Sequence, residues 1–138
     1  EGSTTGSNVA VGEVVRYRLQ IRIPRATIAD ASLLDSLPPG LLFLNDGTAR
    51  LAIVATDTSR ITVPSALSGA VVTGDQTTVA SITPVFALPS ANIVNASSVG
   101  NPFSEGHDPR FVLGTVINNN DEVTSPGAQE FAIVEFNA

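Results

Sequence analysis

The clearest pattern in the chain is an alternation of period two. From Val15 to Ile23 every odd position is apolar, and every even position after it is polar: Val-Arg-Tyr-Arg-Leu-Gln-Ile-Arg-Ile. Successive side chains of a strand point to opposite faces, so this spacing predicts a half-buried strand with one face on a core and one in water. Pro24 ends it, because proline has no N–H to give a ladder. Ile28 to Leu34 follows. Asp35-Ser36-Leu37-Pro38-Pro39-Gly40-Leu41 is then a rigid turn, with φ fixed at the prolines and free to turn positive at the glycine. Leu42 to Leu44 predicts a short strand and Asn45-Asp46-Gly47 a turn. Arg50 to Ala55 and Arg60 to Val63 predict two further strands, the second closed by Pro64.

The signal is softer from Pro64 to Pro102. Gly69 to Thr73, Thr77 to Thr83, Val85 to Leu88 and Ile93-Val94 are candidate strands, and Pro64 to Leu67 also suits a short helix. Arg110 to Ile117 and Glu130 to Phe136 are clearer strands on either side of the polar loop Asn118 to Gly127. No stretch holds helical spacing over three turns, and no internal repeat divides the chain. Many short strands separated by turn signals predict an all-β, immunoglobulin-like antiparallel β-sandwich. Its expected core is the odd row Val15 to Ile23, with Leu34, Leu41, Phe43, Ile53, Phe111, Leu113 and the residues around Phe131 to Phe136.

Composition narrows the chemistry. A length of 138 residues fits one domain spanning 1–138. A domain of this size buries about two-thirds of its unfolded surface and needs no cofactor to fold. With no Cys, thiol catalysis and thiolate zinc sites are excluded. A net charge of -6 argues against nucleic acid and anionic lipid as partners. No apolar run reaches the length of a membrane span, so direct membrane insertion is not expected. Glu1-Gly2-Ser3 opens like a cut from something longer, which makes the chain read as one module of a larger protein.

Three patches carry a resemblance: Val11-Gly12-Glu13-Val14-Val15-Arg16-Tyr17-Arg18-Leu19, Asp35-Ser36-Leu37-Pro38-Pro39-Gly40-Leu41-Leu42-Phe43, and Gly106-His107-Asp108-Pro109-Arg110-Phe111-Val112-Leu113-Gly114-Thr115-Val116-Ile117-Asn118. In this order the chain resembles the immunoglobulin-like repeat domains of large bacterial surface proteins, the group of conserved-repeat stalk domains and fimbrial isopeptide-forming domains. The segment Ala49 to Ser104 carries none of the likeness. The resemblance implies a β-sandwich, an extracellular or cell-surface location and a structural or adhesive role among neighbouring domains of the same polypeptide. Cross-linking members join a lysine near the first strand to an asparagine on the last. This chain has no lysine: all seven basic side chains are arginine, and a guanidinium stays protonated and is a poor nucleophile. The lysine chemistry is therefore excluded.

Candidate sites remain. Asn118-Asn119-Asn120-Asp121-Glu122 is dense in oxygen, and calcium takes six to eight oxygen ligands. Asn118, Asn120, Asp121 and Glu122 are the candidate calcium ligands, with Asp35, Asn45 and Asp46 expected at the same end of the sandwich; a solvated hairpin loop is the simpler alternative. His107, the single histidine, reads as part of a turn into the next strand, with no nucleophile set for it to serve. Gln129 is the candidate acyl donor for an ester with a threonine. Arg16, Arg18 and Arg22 suit either an acidic partner or the protection of an exposed strand edge. Tyr17 is expected to place its ring in the core, and Asn95-Ala96-Ser97 matches the glycosylation triplet.

The function expected from all this is non-catalytic: a structural or adhesive module, a stalk or spacer repeat, of a large bacterial cell-surface or secreted protein. The strands of such a module bear load by shearing together. The alternative is a ligand-binding module for a glycan or protein partner.

Overall fold

A computed structural model of the chain describes residues 12–38, 40–95, 108–120 and 129–138. It is an all-β sandwich. The strands are β1 (Arg16–Ile23), β2 (Thr27–Leu34), β3 (Arg50–Ala55), β4 (Ile61–Thr62), β5 (Val71–Thr73), β6 (Phe86–Ala87), β7 (Ile93–Asn95), β8 (Pro109–Asn118) and β9 (Glu130–Asn137). One sheet runs β1-β9-β3, with the far edge of β3 shared between β5 and β6. The other has β8 at its centre, β2 on one side, and β4 and β7 sharing the opposite side. All pairings are antiparallel except β3 with β5.

The apolar faces meet in one core. Phe43, Phe111 and Phe136 lie at its centre with ring centroids 5.1 to 5.9 Å apart, and Tyr17 stacks on Phe136 at 5.5 Å. Offset and tilted contacts of this kind add to the burial of the rings themselves. The first sheet also carries a second apolar cluster on its outer face, where Ala52, Val54, Phe131 and Ile133 pack under Val72, Val79 and Ile82. Every residue of β3 from Leu51 to Ala55, and β9 from Glu130 to Val134, is therefore buried. Arg18 fastens this cover. Its guanidinium donates to the carbonyls of Val79 (2.7 Å) and Ile82 (2.9 Å) and to Glu135 (2.7 Å).

Two positive-φ positions break the alternation. Gly114, at φ 72°, is a bulge in β8: before it Pro109, Phe111 and Leu113 face inward, and after it Val116 and Asn118 do. Asp30, at φ 52°, does the same in β2, whose register against β8 shifts between Ile28 and Ser32. Leu33 is consequently the buried residue of that strand, and Leu34, expected in the core, is 55% exposed. Other expectations are corrected as well. Leu42 to Leu44 makes only one bridge, Leu44 to Asn137, and is no strand. The stretch from Thr77 to Thr83 is a turn with a 3₁₀ helix at Val79–Ser81, because Asp75 accepts bonds from Thr77 and Thr78 and winds the chain. The short helix suited to Pro64 to Leu67 is present as a 3₁₀ helix over Ser65–Ala70, which shortens the strand expected over Gly69 to Thr73 to Val71–Thr73.

The ends of β1 and β9 lie side by side. β1 pairs with β9 from Arg16↔Asn137 to Ile23↔Glu130, and Val15 and Ala138 exchange both backbone hydrogen bonds at 2.9 Å. β1 is an outer strand, so its inward residues Tyr17 and Leu19 are only half-buried and Ile21 is 44% exposed.

Candidate functional site

The densest buried polar chemistry among the described residues lies at one end of the sandwich. It arises from the bulge at Gly114, which turns Asn118 inward, and from Glu130, which shares the inward row of Ala132, Val134 and Phe136. Glu130 is 0% exposed, Asn118 1% and Asn120 2%. One Glu130 oxygen accepts from the Thr56 hydroxyl at 3.0 Å, and the other from the Asn118 amide at 3.1 Å. The same amide donates to the Ile23 carbonyl at 3.0 Å. The Asn118 side-chain oxygen accepts the Asn120 backbone N–H at 2.9 Å, and the Asn120 amide donates to the Asp57 carbonyl at 3.2 Å.

This network joins the two sheets. Thr56 follows β3 and Glu130 opens β9 in one sheet, while Asn118 ends β8 in the other. Backbone bonds from Asn118 to Ala26 and from Asn119 to Arg60 tighten the same corner. A hydroxyl against a carboxylate is the pair that base-assisted nucleophilic attack requires. Here the two oxygens of the carboxylate are taken up by Thr56 and Asn118 inside the sandwich. The arrangement holds the two sheets in register.

Of the candidate calcium ligands, the structure brings Asn118 and Asn120 together, with the Asn118 oxygen engaged as above. Asp121 and Glu122 lie outside the described residues, as does His107. Among the described residues no group of three or more His, Asp or Glu could hold a metal ion. The expected company of Asp35, Asn45 and Asp46 is corrected. Asp35 follows the end of β2 that pairs with Arg110, and Asp46 accepts from Asn137, so both lie at the opposite end of the strands from Asn118. Gln129 is half-buried before β9, and the threonine of this corner, Thr56, is engaged by Glu130.

That opposite end holds an acid pair. Asp108 accepts the Leu37 N–H at 2.9 Å, and one Asp35 oxygen is buried with no hydrogen-bond partner among the described residues. Burial, and then the negative charge of Asp108, push the Asp35 carboxyl above its ordinary value, against a lowering bond from the Ser36 N–H. A raised acid is one mark of a reactive site.

The arginine row is spent within the chain at Arg16 and Arg18. Both pair with Glu135, at 3.3 and 2.7 Å, and Arg16 also donates to Asn137 at 3.1 Å. A groove of about 280 Å³ opens between the outer strands β1 and β2, lined by Ile21, Ile23, Ile28, Leu33, Leu113 and Val116 among others. Among the described residues no helix is long and apolar enough to cross a membrane. Sequence reasoning missed Glu130 and Thr56 as a pair. The available signal was the parity of Glu130, a carboxylate in the inward row of β9.

No family model matches the chain, and no curated protein or solved structure matches it.

Proposed function

We propose that this chain is a non-catalytic structural or adhesive module of a bacterial cell-surface or secreted protein, set among neighbouring domains of one polypeptide. The observation that supports it is the use made of its buried polar side chains. Glu130, Asn118 and Asn120 form hydrogen bonds that tie the two sheets together. The resemblance of the Val11 to Leu19, Asp35 to Phe43 and Gly106 to Asn118 patches to surface repeat domains points the same way. A calcium ion held by Asn118, Asn120, Asp121 and Glu122 belongs to this reading, and its support is the oxygen-rich loop sequence. Equal melting temperatures in calcium and in chelator remove it.

The groove between β1 and β2 favours a second reading, a module that itself recognises a protein or glycan. Replacing the domain in its parent protein by an unrelated sandwich of equal size separates the two. A spacer is replaceable with adhesion retained, whereas a recognition module is not.

A further inference from the structure

The direction in which the chain enters β1 and leaves β9 has a mechanical meaning. The two strands are antiparallel neighbours, and their outer ends meet where Val15 and Ala138 exchange hydrogen bonds at 2.9 Å. We propose that β1 is a strap that peels from β9 when the polypeptide is pulled on both sides of the domain. Tension between these adjacent points acts across the strands, along the ladder bonds, so the bonds are loaded one after another. The shear expected of a load-bearing sandwich would require the points of load to lie at opposite ends of the two strands.

β1 yields before β9 for a topological reason. β9 is held by ladders to β1 and to β3, and β1 by β9 alone within its sheet. Peeling starts at the Val15–Ala138 bonds and next meets the Glu135 clamps of Arg16 and Arg18. It ends at Ile23, whose carbonyl is held by the Asn118 amide at 3.0 Å. Removing β1 uncovers the edge of β9 and the inward residues Val134 and Phe136, which Leu19 and Tyr17 oppose in the folded ladder. An open edge of this kind is a template for pairing with another strand. The inference goes beyond the structural reading above, since it holds for this sandwich whatever flanks it.

Single-molecule pulling tests it. The chain has no Cys, so introduced cysteines give unique attachment points. One arm uses Val14→Cys, at a position 58% exposed, with a cysteine appended after Ala138. The second uses Val14→Cys with Gln129→Cys, which loads the same two strands from opposite ends. The first arm is expected to rupture at a several-fold lower force than the second. Equal forces, or a higher force in the first arm, overturn the proposal. If Gln129→Cys fails to fold, Ala26→Cys with the appended cysteine supplies the shear geometry, and the same comparison decides.

Discussion

Asn118 and Glu130 belong to different sheets and share a hydrogen bond of 3.1 Å inside the sandwich. Truncating either leaves the other buried with a bond unmade, and an orphaned buried polar group costs about 1–3 kcal/mol, more when charged. Asn118→Ala and Glu130→Ala are each expected to lose about 2–3 kcal/mol. In urea denaturation the double variant should lose less than the sum, with a coupling of about 1 kcal/mol or more. Strict additivity would mean that the pair does not act as a unit.

Gly114 is the pivot that turns Asn118 inward. At φ 72° it occupies a conformation that side chains disfavour, and an added Cβ would sit 2.9 Å from Pro64 Cγ. Gly114→Ala is expected to destabilise by about 2 kcal/mol from backbone strain and contact together. Pro64→Ala in the same chain should recover the contact part and leave the strain, which thermal melts of the two variants would resolve.

Arg18 grips two carbonyls and a carboxylate at once. Lysine keeps the charge but lacks the planar fork. Arg18→Lys is expected to cost about 1 kcal/mol. It should also speed amide exchange at Val79 to Ile82, where the cover over the outer face is fastened. Unchanged exchange there would detach Arg18 from that role.

Asp35 carries a raised carboxyl, chiefly through burial and then through Asp108. A folded-state value above the unfolded one means that the charged form is penalised on folding. The penalty is full above the raised value and vanishes below the unfolded value, about 3.9. Asp35→Asn should therefore raise the urea midpoint at pH 7, and its advantage should shrink as the pH falls towards about 4.

Asp46, Asp57 and Asp75 have the opposite sign. Each carboxylate accepts from a hydroxyl and an N–H two residues on, at Thr48, Ser59 and Thr77. The hydroxyl bond is the largest cause holding each below its ordinary value. Their stabilisation is complete above the unfolded value, about 3.9, and is lost as pH falls through the lower folded values. Replacing Thr48 by Val, Ser59 by Ala and Thr77 by Val together should flatten the acid limb of stability against pH.

Much of the fold was legible in the pattern of side chains. β1, β3, β8 and β9 follow their apolar rows to within a residue or two, and the turn at Asn45-Asp46-Gly47 closes with Gly47 at φ 75°. The inward face was harder to read. A single residue of extra chain at Asp30 and at Gly114 reverses parity, which exchanges Leu34 for Leu33 and turns Asn118 from the loop into the core. The turn over Asp75 to Thr78 was hidden behind β-branched residues whose strand preference lost to an aspartate's local bonds. The candidate site was half visible: its asparagines stand out by composition. Their partner Glu130 is revealed only by its place in an alternation whose other members are apolar.

The second apolar layer over Ala52, Val54, Phe131 and Ile133 has a consequence for how this sequence can vary. On a half-wet strand every other position is free to drift among polar residues. Over Leu51 to Ala55 and Phe131 to Ile133 that freedom is lost, since a polar replacement on either face would be sealed away from water. Tolerance to change is thus greater in β1 and β2, most of whose positions border solvent.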